Sequence, residues 1–377
     1  MTDAQRPNGL VPSIAPEYVR FNGYFRDSPE WGSALILAAW QQYVWTGDDT
    51  PLRAHYDAMQ RYFDYLTIRA EGHLLSHGLG DWYDVGPKPP GVSQLTPIPL
   101  VATSIYYEDA LKLERIATHL GRTTDAQHYA ALADQIAEAF NARFLDTGKA
   151  LYAAGSQTAQ ALPLVLGLAP DAQRDAVLAH LVEAVRAAGN GTTAGDVGYR
   201  YLLRALAEGG RSDVIFEMTN QSERPGYGYQ LAHGATSLTE AWDANPNSSQ
   251  NHFMLGQIIE WFYHDLAGLA PDPAAPGFAN IIVRPNPVGD VTWAEARYDS
   301  VRGPIAVHWN RDGGHFRLNV TVPPNARASI QLPVESGSAI TESGQSVSGR
   351  TDITSAGEID GRPAFEVGAG HYEFRAD

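Results

Sequence analysis

The stretch Pro97–Leu145, PIPLVATSIYYEDALKLERIATHLGRTTDAQHYAALADQIAEAFNARFL, decides the fold because it reads as two helices separated by one break. We predict helices at about 97–120 and 124–145, with the break at Gly121. Two long helices joined by a few residues predict an antiparallel hairpin.

The same helical pattern extends on both sides of this pair of helices. After an extended lead-in over residues 1–28, Pro29 follows Ser28 as a good first helical residue, and that helix runs to Gly47. Further helices are predicted at about 51–70, 156–168, 171–188, 196–208 and 211–218. Helix follows helix at similar lengths with no strand pattern between them, so we expect helical hairpins stacked as a solenoid or as a closed double ring.

The pattern changes after Leu269, where APDPAAPG reads as a Pro-rich linker. His315–Val322 alternates with a period of two, and Asp312-Gly-Gly314 before it predicts a hairpin turn. Other strands are predicted at 281–283, 291–296, 304–309, 328–332 and 364–374. We therefore predict a mostly α chain with two domains, helical over 1–271 and an antiparallel β-sandwich over 272–377.

Composition limits the function. The 377 residues are 44% apolar and 19% charged, which is typical of a globular chain with a sizeable core. The formal net charge of -16 disfavours nucleic acids and anionic membranes as partners, because both require a basic surface. Eight Trp and eighteen Tyr suit carbohydrate stacking and suit a large helical core equally well.

The sequence shows no motif for a thiol, nucleotide or metal site. There is no cysteine, no P-loop and no dinucleotide-binding glycine motif, and His73 and His77 stand four apart in an irregular loop, so we expect no cofactor and no metal. Neither a signal peptide nor an apolar run of membrane length is visible, so we expect a soluble chain, cytoplasmic or periplasmic.

The segment Gly226–Tyr263 carries the candidate chemistry. It places Glu240 among small residues and close to Trp242, and a carboxyl group in apolar, aromatic surroundings has a tunable pKa. Ser248 and Ser249 predict the start of a helix with Asn251 and His252 in its first turn. Ser237-Leu-Thr-Glu240 also fits a capping box, in which Glu240 would only cap a helix, and His252 fits a core or capping role. Both alternatives stay open.

A second region of interest is the irregular stretch Glu71–Pro97, which is too long for a mere connection and is typical of a functional loop. It contains Asp81, Trp82 and Asp84 in the run Gly80-Asp-Trp-Tyr-Asp84. We predict that these three residues, together with Trp242, bind substrate.

Several short motifs in order now resemble one family. They are Pro7-Asn-Gly-Leu-Val-Pro12, Ser28-Pro-Glu-Trp-Gly32, Gly80-Asp-Trp82, Gly226-Tyr-Gly-Tyr229, Gly234-Ala-Thr236 with Glu240, and Asn251-His252 leading into Glu260-Trp-Phe-Tyr263. The sequence resembles the catalytic and C-terminal parts of bacterial α-L-rhamnosidases of glycoside hydrolase family 78. That resemblance implies an (α/α)6 barrel followed by a β-sandwich.

The resemblance also implies residue roles. Glu240 matches the general base, Trp31 and Trp82 match aromatics of the rhamnose subsite, and His252 matches a histidine near the sugar. The family often has Trp-Glu-Arg-Trp around the base, whereas this chain has Thr239-Glu-Ala-Trp242. This departure indicates a subsite for a different sugar or aglycone.

The resemblance places the general acid in an Asp- and Arg-rich motif upstream of the segment that matches Pro7–Pro12. We therefore expect the first barrel helices and the acid to be missing from this chain, and an exposed apolar edge to cause self-association or poor solubility. An inverting glycosidase needs both carboxyl groups, about 6.5–9.5 Å apart. Asp81 or Asp84 is the candidate stand-in, with loop capping through Asx-turns as the alternative. Core packing is the alternative for Trp31 and Trp82.

Three functional hypotheses follow. The first is an inverting glycosidase that acts on terminal α-L-rhamnosides. The second is an inactive or weakly active sugar-binding fragment. The third is an α/α-barrel enzyme on uronic-acid glycans, which would need an arginine clamp for which only Arg200 and Arg224 are candidates.

Overall fold

The computed structural model describes residues 1–376, and helices dominate its first two thirds. α-Helices span Pro29–Gly32, Ala34–Thr46, Thr50–Arg69, Ile98–His119, Thr123–Phe144, Gln157–Leu166, Asp171–Ala187, Gly198–Glu208, Ser212–Thr219, Tyr227–Ala232 and Ile258–Trp261. Shorter 3₁₀ turns lie at Thr2–Ala4, Gly23–Phe25 and Phe253–Gln257, and Phe262–Ala267 is π-helical. The predicted order of helical hairpins is confirmed, and the helix predicted from Pro29 is interrupted at Ser33.

Burial alternates between successive helices. Every residue from Leu100 to Ala110 is buried in the helix Ile98–His119, whereas its hairpin partner Thr123–Phe144 buries a single stripe. Gln157–Leu166 is likewise buried nearly all round and is followed by the amphipathic helix Asp171–Ala187. A helix that is buried on all sides has to be covered by neighbouring elements, and an amphipathic helix can cover it with its single apolar stripe.

Local chemistry explains where these helices begin and end. Ser156 accepts a hydrogen bond from the Ala159 N–H at 3.3 Å and caps Gln157–Leu166, and Gly167 ends that helix with a left-handed φ of 73°. The stretch between Arg69 and Ile98 is irregular apart from one isolated bridge, as predicted.

The chain divides into two compact units, Met1–Trp40 with Thr50–Gln257 and Gln41–Asp49 with the chain from Ile258 onward. The second unit therefore starts ahead of the predicted boundary at 271/272. It contains a six-stranded sheet in the order Gln345–Ser346, Ile340–Glu342, Gly370–Ala376, His315–Val322, Gly303–Asp312 and Trp293–Ser300. Its five-stranded sheet has the order Ile353–Ile359, Arg362–Val367, Arg327–Gln331, Asn280–Val283 and Leu269–Pro271.

The two sheets share one core, which confirms the predicted sandwich. Val307, Trp309 and Leu318 from the larger sheet and Ile281 and Ile330 from the smaller one are all buried in the same cluster. Along His315–Val322 the buried residues alternate with exposed or partly exposed ones, in agreement with the period-two pattern.

Some strand predictions are wrong in detail. The stretch 364–374 is two strands in different sheets, Arg362–Val367 and Gly370–Ala376, because the chain bends between them at Ala369. Leu269–Pro271, which overlaps the predicted linker, is a strand paired with Asn280–Val283. Asn280–Val283 in turn pairs in parallel with Arg327–Gln331, so the sandwich is not wholly antiparallel.

Candidate active site

Glu240 and His252 lie on two chain segments that pair with each other. The Glu240 N–H donates to the Ser249 carbonyl at 2.9 Å, and the His252 N–H donates to the Leu238 carbonyl at 2.8 Å. No helix follows Ser237 directly, so the capping-box interpretation of Glu240 is wrong. The predicted helix start at Ser248 is also wrong, because helical structure begins only at Phe253. The pairing fixes the two side chains relative to each other.

Trp242 fixes the segment that carries Glu240 to the buried core. Its side chain is 1% exposed, and its Nε1 donates to the Ala194 carbonyl at 2.9 Å. Its ring packs against Tyr199 and Tyr227 at centroid distances of 4.7 and 5.2 Å. Trp242 is therefore part of the core beneath the site, and the prediction that it binds substrate is corrected because a ligand cannot reach a buried indole.

Asp81 has a structural role in the loop Glu71–Pro97. Its carboxylate accepts hydrogen bonds from Thr158 Oγ1 at 2.5 Å, the Gly195 N–H at 3.0 Å and the Gly198 N–H at 2.7 Å, and the residue is fully buried. Burial raises the pKa of Asp81 to about 6 against these three donors, which favour the ionised form. Asp81 therefore ties the loop to the start of the helix Gly198–Glu208.

Asp84 is used in the same way. It is buried and accepts hydrogen bonds from the backbone N–H groups of Gln94 and Leu95, at 2.9 and 2.7 Å. The alternative that these aspartates hydrogen-bond the loop itself describes Asp84, whereas the partners of Asp81 lie outside the loop. The predictions that Asp81 and Asp84 bind the sugar or replace the acid are corrected, because their oxygens already accept hydrogen bonds within the protein.

A glycine makes the close approach of these segments possible. A Cβ on Gly195 would lie 2.1 Å from the Trp82 carbonyl oxygen, and the Asp196 N–H donates to that same oxygen at 2.7 Å. Only a residue without a side chain lets the two backbones pass at this distance. The contact places Trp82 directly beside Asp196.

Aromatic rings surround the loop. Trp82 meets Trp31 edge-to-face with centroids 6.5 Å apart, and Phe25 in the same geometry at 5.3 Å. Tyr83 is 5.1 Å from Trp82, and its hydroxyl accepts from Ser248 Oγ at 3.4 Å. Trp31, Trp82 and Tyr83 are partly exposed, so they form an accessible aromatic wall.

Glu30 supports this wall. Its carboxylate accepts a hydrogen bond from the Gly80 N–H at 2.8 Å and another from the Ser28 hydroxyl, and burial raises its pKa to about 7. Glu30 thus holds the loop next to Trp31, which is a structural role.

Glu240 faces the aromatic wall. Trp82 Nε1 donates to Glu240 Oε1 at 3.4 Å, and the Ser249 N–H donates to Glu240 Oε2 at 3.3 Å. The side chain is partly exposed, so both a ligand and water can reach it.

Asp196 completes the cluster, and the sequence reasoning missed it. It is 2% exposed, and its Oδ2 lies 3.5 Å from His252 Nε2. One carboxylate oxygen of Asp196, one of Glu240 and one ring nitrogen of His252 lie within 4.8 Å of one another. Burial and the negative charges of Glu240 and Asp81 raise the pKa of Asp196 to about 8. Its setting between two glycines, Gly195 and Gly198, was the available sequence signal.

One imidazole and two carboxyl groups also have the composition of a metal-binding set. Each oxygen of Glu240 also accepts one N–H hydrogen bond, from Trp82 Nε1 at 3.4 Å and from the Ser249 N–H at 3.3 Å. An imidazole and two carboxyl groups beside accessible aromatic rings can also transfer protons.

The chain is similar to one known family and to several of its members. Residues 1–266 match the family described as the bacterial α-L-rhamnosidase 6 hairpin glycosidase domain, and residues 268–346 match the bacterial α-L-rhamnosidase C-terminal domain. An α-L-rhamnosidase of Streptomyces avermitilis is 31% identical over 386 aligned residues, covering 99% of this chain, and one from Alteromonas is 28% identical over 347 residues, covering 88%.

Solved structures of α-L-rhamnosidases superpose on this chain over its full length. The crystal structure of the Streptomyces avermitilis α-L-rhamnosidase complexed with L-rhamnose superposes with a TM-score of 0.89 at 30% identity over 100% of this chain. The α-L-rhamnosidase from Dictyoglumus thermophilum gives a TM-score of 0.90, also at 30% identity and 100% coverage.

The chain spans only part of these proteins. It covers 35% of the Streptomyces avermitilis sequence, 37% of the Alteromonas sequence and 42% of the Dictyoglumus thermophilum structure. Among residues 1–376, no helix combines the length and apolar character needed to cross a bilayer.

Proposed function

Because this chain belongs to the bacterial α-L-rhamnosidase family, we propose that it hydrolyses terminal α-L-rhamnosides with inversion of configuration and that Glu240 is the general base. The observation that carries the proposal is the position of the Glu240 carboxylate. It lies 3.4 Å from the indole nitrogen of Trp82, at an accessible aromatic wall.

The wall suits a deoxy sugar. Trp31 and Trp82 present partly exposed rings at right angles, so one ring can stack on a sugar face while the other contacts the C6 methyl group of rhamnose. His252 is 28% exposed and can hydrogen-bond a ring hydroxyl.

The charge of the site argues against uronic-acid substrates. The charged groups that act on Asp196 are Glu240 and Asp81, both acidic, so a uronate carboxylate would meet like charge. A neutral sugar avoids this repulsion, which favours the rhamnoside hypothesis over the uronic-acid hypothesis.

In the proposed reaction, Glu240 removes a proton from a water molecule, and that water attacks the anomeric carbon from the face opposite the leaving oxygen. As the glycosidic C–O bond breaks, the leaving oxygen must take up a proton, and the phenolate released from an aryl rhamnoside can take that proton from water. Asp81 and Asp84 do not donate this proton, because their oxygens accept hydrogen bonds from the protein. Asp196 does not donate it either, because its carboxyl group lies within 4.8 Å of the Glu240 carboxylate, which is the proposed base.

The test is hydrolysis of an aryl α-L-rhamnoside by the full chain and by Glu240→Gln. The substitution should lower kcat by about 10² to 10⁴, the range for a general base. Glu138→Gln, an exposed acid on the helix Thr123–Phe144, is the matched control and should leave the rate unchanged. Equal rates for Glu240→Gln and the wild-type chain would refute the assignment.

Two further measurements separate the alternatives. NMR of the first-released sugar should show the β anomer of L-rhamnose, and release of the α anomer would refute inversion. If L-rhamnose binds, as followed by tryptophan fluorescence, but the rhamnoside is not cleaved, the chain is the sugar-binding fragment of the second hypothesis.

A further inference from the structure

We propose that Asp196, in its neutral protonated form, is a positioning residue that holds Glu240 and His252 in their working arrangement. The inference rests on the proposed function, because it names a partner for the proposed base.

The backbone of Asp196 is fixed from both sides. Its N–H donates to the Trp82 carbonyl at 2.7 Å, and its carbonyl accepts from Gln257 Nε2 at 2.8 Å. The side chain therefore has little freedom to leave the cluster. Its Oδ1 is buried and has no hydrogen-bond partner, which is costly for a buried polar atom unless it serves a function or a ligand.

Charged neighbours decide where the proton resides. The titratable groups facing Asp196 are Glu240 and His252 on the paired segments and Asp81 on the loop. Two carboxyl groups this close share their protons as a pair. Asp196 is buried and one of its oxygens has no hydrogen-bond partner, whereas Glu240 is partly exposed, so burial favours the protonated form of Asp196.

The separation excludes a role as the leaving-group acid. Atoms of the two carboxyl groups lie within 4.8 Å, whereas the acid and base of an inverting glycosidase stand about 6.5–9.5 Å apart to admit water. Asp196 therefore acts through Glu240 and His252. A neutral carboxyl group offers one O–H donor and one carbonyl acceptor to these neighbours and adds no second negative charge.

A rising pH should disrupt this arrangement. Once Asp196 ionises, at a pKa of about 8, two carboxylates face each other, and the more exposed Glu240 is the one that can move away. We expect kcat/KM for the aryl rhamnoside to fall on the alkaline side with an apparent pKa near this value.

The test compares two substitutions across about pH 5 to about pH 10. Asp196→Asn keeps the shape and neutrality of the protonated acid, so its profile should lack the alkaline fall. At about pH 6 it should lose less activity than Asp196→Ala, which leaves its neighbours unpaired and should lose about tenfold or more. Asp243 is an exposed aspartate three residues after Glu240. The substitution Asp243→Asn is therefore the matched control and should keep the wild-type pH profile.

Two results would overturn the proposal. An alkaline fall that persists in Asp196→Asn would mean that another group titrates. Equal losses in Asp196→Asn and Asp196→Ala at about pH 6 would mean that the ionised carboxylate is the working form.

An infrared difference spectrum gives a readout that does not need turnover. The wild-type minus Asp196→Asn spectrum at about pH 7 should contain the C=O stretch of a protonated carboxyl group, and this band should vanish above about pH 9. Absence of the band overturns the proposal whatever the activity. If the band is present but neither the wild-type chain nor Glu240→Gln cleaves rhamnosides, the neutral state of Asp196 stands and the proposed hydrolase does not.

Discussion

Replacing Thr158 by Val should weaken the loop that carries Trp82, and the loss should depend on pH. The Thr158 hydroxyl donates to Asp81 at 2.5 Å inside the protein, and Val keeps the side-chain shape while removing this donor. A hydrogen bond to a charged acceptor contributes about 1.5–3 kcal/mol, and one to a neutral acceptor about 0.5–1.5 kcal/mol. The larger loss is therefore expected where Asp81 is ionised.

The sign follows from the pKa of Asp81. Burial raises it from the ordinary 3.8 to about 6 in the folded chain, so the folded state holds this proton more tightly than the unfolded state does. Asp81 therefore makes the wild-type chain less stable as pH rises from about 4 to about 6, by up to about 3 kcal/mol. Without the Thr158 donor, which favours the ionised form, the pKa of Asp81 should rise further and the pH-dependent loss should extend to higher pH.

The measurement is urea unfolding of the wild-type chain and Thr158→Val at about pH 4.5 and about pH 8, followed by tryptophan fluorescence. Hydrogen exchange of a peptide that contains Gly195 and Gly198, whose N–H groups also donate to Asp81, reports the local effect. Thr118→Val removes an exposed hydroxyl bond to Glu114 and should change little at either pH. A Thr158→Val loss that is equal at both pH values, or larger in acid, would refute the reasoning.

Three further outcomes are expected. Gly195→Ala should lower stability and rhamnoside hydrolysis together, because its Cβ would lie 2.1 Å from the Trp82 carbonyl, whereas Gly368→Ala, where a Cβ meets nothing within 4 Å, should be neutral in thermal melts and in the activity assay. Trp82→Phe keeps a ring but removes the N–H donor to Glu240, so kcat should fall more than KM rises. Leu318→Ala in the sandwich core should destabilise the chain by about 2–5 kcal/mol in urea unfolding; a loss under about 1 kcal/mol would contradict the core assignment.

Local sequence predicted most of the architecture. The helix pair Ile98–His119 and Thr123–Phe144 and the strand His315–Val322 were predicted to within two residues, because their periodic apolar pattern and their glycine breaks act over a few neighbouring positions. The strand predictions were wrong in detail where long-range contacts determine the pairing. The stretch 364–374, which was predicted as one strand, is divided between two sheets.

The candidate site shows the same division more sharply. Glu240, Trp31, Trp82 and His252 were recognisable from motif resemblance, and their roles stay predictions until the assays above are made. Trp242 carried the same aromatic signal as Trp82 but is buried, since its surroundings come from Ala194, Tyr199 and Tyr227 rather than from its own segment.

Two Gly-Asp dipeptides mark the limit of what sequence alone determined. Gly80-Asp81 and Gly195-Asp196 look alike locally, and only the first was chosen as a candidate. In the folded chain Asp81 is saturated by three donors from residues 158 to 198, whereas Asp196 keeps an unpaired oxygen and lies beside Glu240. Hydrogen-bond partners and neighbouring charges come from segments distant in the chain, so the tertiary structure alone decided which aspartate holds the loop and which faces the base.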